Sequence, residues 1–231
     1  GRIHEQPAHS LPIIEAAVTV RHDGYMQEQL DTKKGRNMAL LEKSLAERPE
    51  DPYVHFQLGK QYDIQLQYAE ALPCYQRARE LVRNRPTWYH DLVVRTIECL
   101  RHEGRLEEAM IFASDEMPYW EQSADFYFVV GCLLLDQMQK HPEQGESLLP
   151  MIEESWLKAL AIGERPELAG NVSGRGSFMA AGQLWALFDA RKEAEKAARY
   201  KDMQKKLYAQ YKEAADAGLV SAAALPEQQP A

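Results

Sequence analysis

Between Asp31 and Gly218 the residues that dominate are Ala, Leu, Glu, Gln, Lys and Arg, which cost least in a helix. Prolines interrupt this helical text at Pro49 and Pro52, Pro86, Pro118, Pro142 and Pro166. Because proline ends or kinks a helix, these intervals divide the chain into pieces of helical-hairpin size. One piece carries a full internal pattern. Leu58-Gly59-Lys60-Gln61-Tyr62 supplies a helix face with a notch at Gly59, and Ala71-Leu72-Pro73-Cys74-Tyr75, followed by Ala78, supplies a second helix with small residues one and two turns apart. Gly59 and Ala71 allow two helices to approach closely, while Tyr62 and Tyr75 fill the remaining groove.

That pattern resembles the tetratricopeptide repeat, in which Leu-Gly-x2-Tyr on a first helix is answered by a small residue and then an aromatic on the second. Weaker copies follow in step. Leu41, Ser44, Leu45 and Pro49 read as a preceding second helix. Gly104-Arg105-Leu106-Glu107-Glu108-Ala109 reads as a hairpin turn leading to a small packing residue, with Ile97 in place of the glycine. Val130-Gly131-x2-Leu134 with Trp156 and Ala159 forms a third unit, and Ala181-Gly182-x2-Trp185 a fourth. Ala71, Ala109 and Ala194, with Ile152 in the third unit, take the small-residue place at spacings of roughly 40 residues, against about 34 for the plain repeat. The expected fold is all-α: a tetratricopeptide-like array of about four and a half helical hairpins, a right-handed solenoid, over residues 26–217. The Gly-rich stretch from Arg165 to Ser177 reads as a flexible connector between the last two units, and 218–231 as a flexible tail.

Residues 1–25 have another character. Ile13-Ile14-Glu15-Ala16-Ala17-Val18-Thr19-Val20, closed by Asp23-Gly24, reads as a strand and turn. The chain begins at Gly1 rather than Met, so the expectation is that something precedes it. Arg2-Ile3-His4-Glu5-Gln6 followed by Val18-Thr19-Val20-Arg21-His22-Asp23-Gly24-Tyr25 resembles the end of a bacterial family 2 glycosyltransferase domain. Lys33-Lys34-Gly35-Arg36-Asn37, Leu40-Leu41-Glu42 and Asp51-Pro52-Tyr53 continue the likeness, which covers about residues 2–80. The resemblance implies a parent enzyme that transfers sugar from a nucleotide-sugar donor with manganese or magnesium, its carboxylates lying in a preceding domain. It makes residues 1–25 the remnant of that domain, and His4, Glu5 and His22 the only remnants of its active site.

Composition narrows the partners. Twenty-seven Lys and Arg against 35 Asp and Glu give a net charge of −8, which disfavours nucleic acid or an anionic membrane surface as the main target. No apolar run reaches the ~18 residues of a membrane span. Cys74, Cys99 and Cys132 form no CxxC pair and sit in apolar helical stretches, where thiols pack as small hydrophobes; the cytoplasm is the expected compartment. Gly170-Asn171-Val172-Ser173-Gly174-Arg175-Gly176 lacks the Lys-Ser/Thr ending of a phosphate loop. His55, His90, His102 and His141 have no metal-ligating partner at the i+4 position.

No catalytic residue, metal or cofactor is therefore expected in the chain itself. The expected function is a scaffold for a protein or peptide, whether the parent's own catalytic domain, its glycosylation acceptor or a second copy in a homodimer. A free-standing tetratricopeptide adaptor in a regulatory or assembly complex is the alternative. The binding face should be the inner face of the array, built from residues exposed on the first helices: Tyr53, Phe56, Lys60 and Asp63; then Asp91, Val94, Glu98 and Arg101; then Asp125, Phe128 and Asp136. It lacks the Lys/Arg/Asn cluster that clamps a peptide carboxylate.

Overall fold

The structure, a computed structural model, describes residues 27–218, with side chains from Asn37 onward. The strand expected at 13–20, the residues His4, Glu5 and His22, and the tail from 219 lie outside the described residues. What is described is all helical. The helices are α1 Gln27–Glu47, α2 Pro52–Ile64, α3 Tyr68–Leu81, α4 Tyr89–His102, α5 Leu106–Glu116, α6 Ala124–Lys140, α7 Gly145–Ile162, α8 Phe178–Ala190 and α9 Ala194–Asp216. Single 3-10 turns, Met117–Tyr119 and Pro142–Gln144, lie in the connections after α5 and α6. The described residues divide into two compact units, 27–84 and 85–218. In the first, α2 and α3 form a hairpin with α1 packed on α2; in the second, α4/α5, α6/α7 and α8/α9 are successive hairpins.

Local chemistry sets these boundaries. Asp51 caps α2 through its carboxylate, which accepts from the Tyr53 N–H at 2.9 Å and the Val54 N–H at 3.3 Å, and Pro52 takes the first helical position, where a missing N–H costs nothing. The Ser123 hydroxyl accepts from the Phe126 N–H at 3.0 Å and so caps α6. Three hairpin turns share one device: Leu66, Gly104 and Lys192 adopt φ of +59°, +68° and +60°. The fifth residue after each is a buried alanine, Ala71, Ala109 or Ala197, whose N–H bonds the carbonyl just before the helix starts.

The last of these differs from the sequence expectation. Ala194 is exposed, and Ala197 holds the small-residue position, because α8 runs three residues further past its glycine before turning. Close approach is complementary in each hairpin. A Cβ on Gly59 would collide with the Tyr75 ring, and one on Gly131 with the Trp156 indole, whose N–H donates to the Phe128 carbonyl at 3.2 Å. In α8/α9 the corresponding pair is Trp185 with the Lys201 ammonium, 4.6 Å from the ring centroid.

Helices α4 and α6 are buried almost all round, including Asp91, Asp125 and Phe128 on the face expected to be open. A helix of a two-layer hairpin array buries one side against its partners. Something else covers the other side of these two.

Candidate binding groove

The cover is the connection between α7 and α8. Residues 163–177 do not form a loose connector. Their two ends meet, since a Cβ on Gly176 would strike the Gly163 carbonyl, and the segment between is a compact Ω-type loop. Glu164 holds it closed by accepting from the Gly174 N–H at 2.9 Å and from the Ser177 hydroxyl. Gly170, at φ +74°, lies so close to the Asp91 carboxyl that no side chain fits, and Gly174, at φ +107°, packs beside Phe178 and Met179. These two glycines are demanded by backbone angle and close approach rather than by flexibility.

The loop lies on the face of α4 and α6 and is held there by main-chain and side-chain hydrogen bonds. His90 on α4 donates from Nδ1 to the Ala169 carbonyl at 2.8 Å, because a carbonyl can only accept. Nε2 lies 2.7 Å from the Ser123 hydroxyl oxygen, and Trp120 packs edge-on at 5.0 Å. Asp125 on α6 accepts the Val172 N–H at 2.9 Å. Arg175 reaches between the helices. Its Nη2 donates to Glu98 Oε1 at 2.5 Å, Nη1 lies 3.5 Å from Asp125 Oδ1, and the guanidinium carbon is 5.6 Å from the Phe128 ring centre. Arg175 is 7% exposed and Asp125 2%. Burial pushes the Asp125 carboxyl above its usual range, against the opposing pull of Arg175, the Val172 N–H and His90.

Beyond Arg175 the face is closed by ion pairs. Arg95 donates to Asp91 at 2.7 Å, and Arg101 bridges from α4 to Asp136 on α6 at 2.8 Å. Cys132 lies among these charges with its thiol raised to about 11 by burial, so it stays protonated and inert at neutral pH. Among the described residues no three His, Cys, Asp or Glu side chains are grouped to hold a metal ion. What the arrangement does chemically is hold one guanidinium and two main-chain groups of a compact loop.

The expected face therefore splits. Asp91, Glu98, Asp125 and Phe128 converge on the 163–177 loop, with Arg101 joined to Asp136 beside them. They are not an open surface, since Asp91, Asp125 and Phe128 are all buried. In the first unit Phe56, 1% exposed, also lies inside rather than outside, tilted against Tyr53 at 6.1 Å and Tyr75 at 6.2 Å. Lys60 sits with its ammonium 5.4 Å from the Phe56 ring centre, and Asp63 accepts from the Tyr75 hydroxyl at 3.2 Å. These residues stitch α2 to α3. His90, Ser123 and Arg175 are groove residues that the sequence does not point to. Their partners lie 33 to 79 residues away along the chain, and no local pattern announces such pairings.

No family model matches the sequence, and no curated protein matches it. Solved structures do match in fold. MamA from Desulfovibrio magneticus RS-1 superposes with a TM-score of 0.60 at 13% identity, over 79% of this chain and 91% of that one. PilF from Pseudomonas aeruginosa gives 0.57 at 17% identity, over 76% and 69%. YrrB, described as a TPR protein with an unusual peptide-binding site, gives 0.54 at 15% identity, over 84% and 88%. The fold is of the tetratricopeptide-repeat kind. At such identities the likeness carries the fold alone.

Proposed function

We propose that this chain is a non-catalytic helical-repeat scaffold that binds a protein or peptide segment, and that it forms the C-terminal part of a cytoplasmic, nucleotide-sugar-dependent glycosyltransferase. One observation supports the scaffold reading above others. The face of α4 and α6 already holds a looped stretch of polypeptide, taking its main chain at Asp125 and His90 and its arginine at Glu98. A peptide-binding site is what YrrB is described as having, and under this proposal the present chain uses its first helices to the same end.

The glycosyltransferase reading is supported by the order of motifs from Arg2 to Tyr25 and from Lys33 to Tyr53. On that reading His4, Glu5 and His22 belong to the margin of the donor site. On the same reading the metal and the base belong to the parent's catalytic domain. The repeats position the acceptor or the catalytic domain itself.

The test begins with the coding sequence upstream of Gly1. About 200 residues of alternating strands and helices with an Asp-x-Asp motif are expected, and a start codon just before Gly1 overturns the glycosyltransferase reading. In the longer enzyme, removing residues 26–217 should raise KM for a protein acceptor while donor hydrolysis persists. An unchanged acceptor KM overturns the scaffold reading.

A further inference from the structure

We propose that the α4/α6 face is an arginine-recognition groove, occupied in this structure by the chain's own 163–177 loop, and that an arginine-bearing turn or loop of a partner protein takes the loop's place. This rests on the scaffold reading and names its ligand class.

The loop shows what the groove selects. Its side chains offer little apolar anchorage: Leu168 and Val172 are only half-buried, and the residues in closest approach are glycines. What holds it is polar and directional. Two main-chain contacts, Ala169 O to His90 and Val172 N–H to Asp125, fix the path of the backbone. One side chain, Arg175, enters between the helices and meets a carboxylate on each, with the Phe128 ring face beside it. Carboxylates plus an aromatic face suit a planar guanidinium better than a lysine ammonium, because the fork of N–H donors is matched in direction and the flat cation stacks. Burial adds to the discrimination at Asp125, whose side chain is 3% exposed, whereas that of Glu98 is 27% exposed.

The loop is also an incomplete occupant. Nε of Arg175 is buried with no hydrogen-bond partner among the described residues, as is Nε of Arg101 alongside it. A segment not tied at both ends to Gly163 and Gly176 can present its arginine free of that constraint. The helices meet without the loop: α4 packs directly on α6, α6 on α7 and α7 on α8.

The experiment uses the 231-residue chain carrying Arg175→Ala, with circular dichroism and melting to show that it is folded. Its ligand is the acetylated, amidated hexapeptide Asn-Val-Ser-Gly-Arg-Gly, which copies residues 171–176. Calorimetry should show saturable one-to-one binding to the variant, at least about tenfold tighter than to the unaltered chain, where the tethered arginine competes at an effective concentration in the millimolar range. Replacing the peptide's arginine by glutamine should abolish binding. Lysine should weaken it by about tenfold or more. Glu98→Gln added to Arg175→Ala should weaken it similarly, while leaving the melting curve in place. A folded Arg175→Ala chain that ignores the peptide overturns the proposal, as does one that takes the glutamine peptide equally well. Either result leaves the acceptor-KM test of the scaffold reading untouched, so the two failures are distinguishable.

Discussion

The repeat register turns on single small residues. Ala71, Ala109 and Ala197 are each sealed between two helices, and each is the fifth residue after a turn residue of positive φ. A leucine at position 197 has no room and must push α8 and α9 apart, at a cost of about 1–3 kcal/mol. Ala194 faces solvent, so Ala194→Leu should change stability by no more than about 0.5 kcal/mol. Thermal melts of the two variants therefore discriminate the registers: Ala197→Leu should melt several degrees lower and Ala194→Leu should not. The reverse order would restore the register that the sequence suggests. That register misleads because Ala181-Gly182-x2-Trp185 imitates the Leu58-Gly59-x2-Tyr62 signature three residues too early. Counting back from Lys192, the true counterpart of Gly59 is Trp185, a large residue facing the flexible Lys201 instead of a notch facing an aromatic.

At the scale of elements, the hairpins were legible because their signals are local: caps, glycine notches and aromatics at helical spacing. The turn chemistry was only partly so. Gly104 is the residue a left-handed turn favours, but Leu66 and Lys192 occupy the same conformation with a Cβ that disfavours it by about 1–2 kcal/mol. Leu66 is also largely exposed, so replacing it sacrifices little packing. Leu66→Gly should then raise stability by roughly 0.5–1 kcal/mol after glycine's own entropic cost, and Gly104→Ala should lower it by about 1 kcal/mol. Chemical denaturation of the two variants should move the midpoints in opposite directions with unchanged slope. The 163–177 loop was the element least legible in advance. Its glycines read as flexibility, yet Gly170 and Gly174 are fixed by φ and by the groups they touch, and their partners on α4 and α6 are distant in sequence. Asp91, Glu98, Asp125 and Phe128 of the expected face meet this loop, and no local pattern announced it as their occupant.

At the scale of the molecule, the two units differ in how much core each can build. The described part of the first, residues 27–84, comprises three helices, and Leu41, Val54, Phe56, Leu58, Ala71, Leu72, Tyr75 and Ala78 form its buried apolar set. A chain of about 60 residues buries only about 60% of the surface it exposes when unfolded, which leaves it marginal. Residues 85–218 carry six helices, and Leu92, Ile97, Phe126, Leu133, Ile152, Trp156, Leu184 and Phe188 are each at most 1% exposed. A domain of that size buries nearer 70%. The loop and every residue that holds it lie within this second unit. Residues 85–218 produced alone should accordingly fold with a single cooperative melt and retain slow amide exchange at Val172, whose N–H is taken by Asp125. Residues 27–84 alone should melt at markedly lower temperature and over a broader range. Fast exchange at Val172 in a cooperatively melting 85–218 fragment would mean that the loop is not held by the contacts described, and that its seat on α4 and α6 depends on something outside this unit.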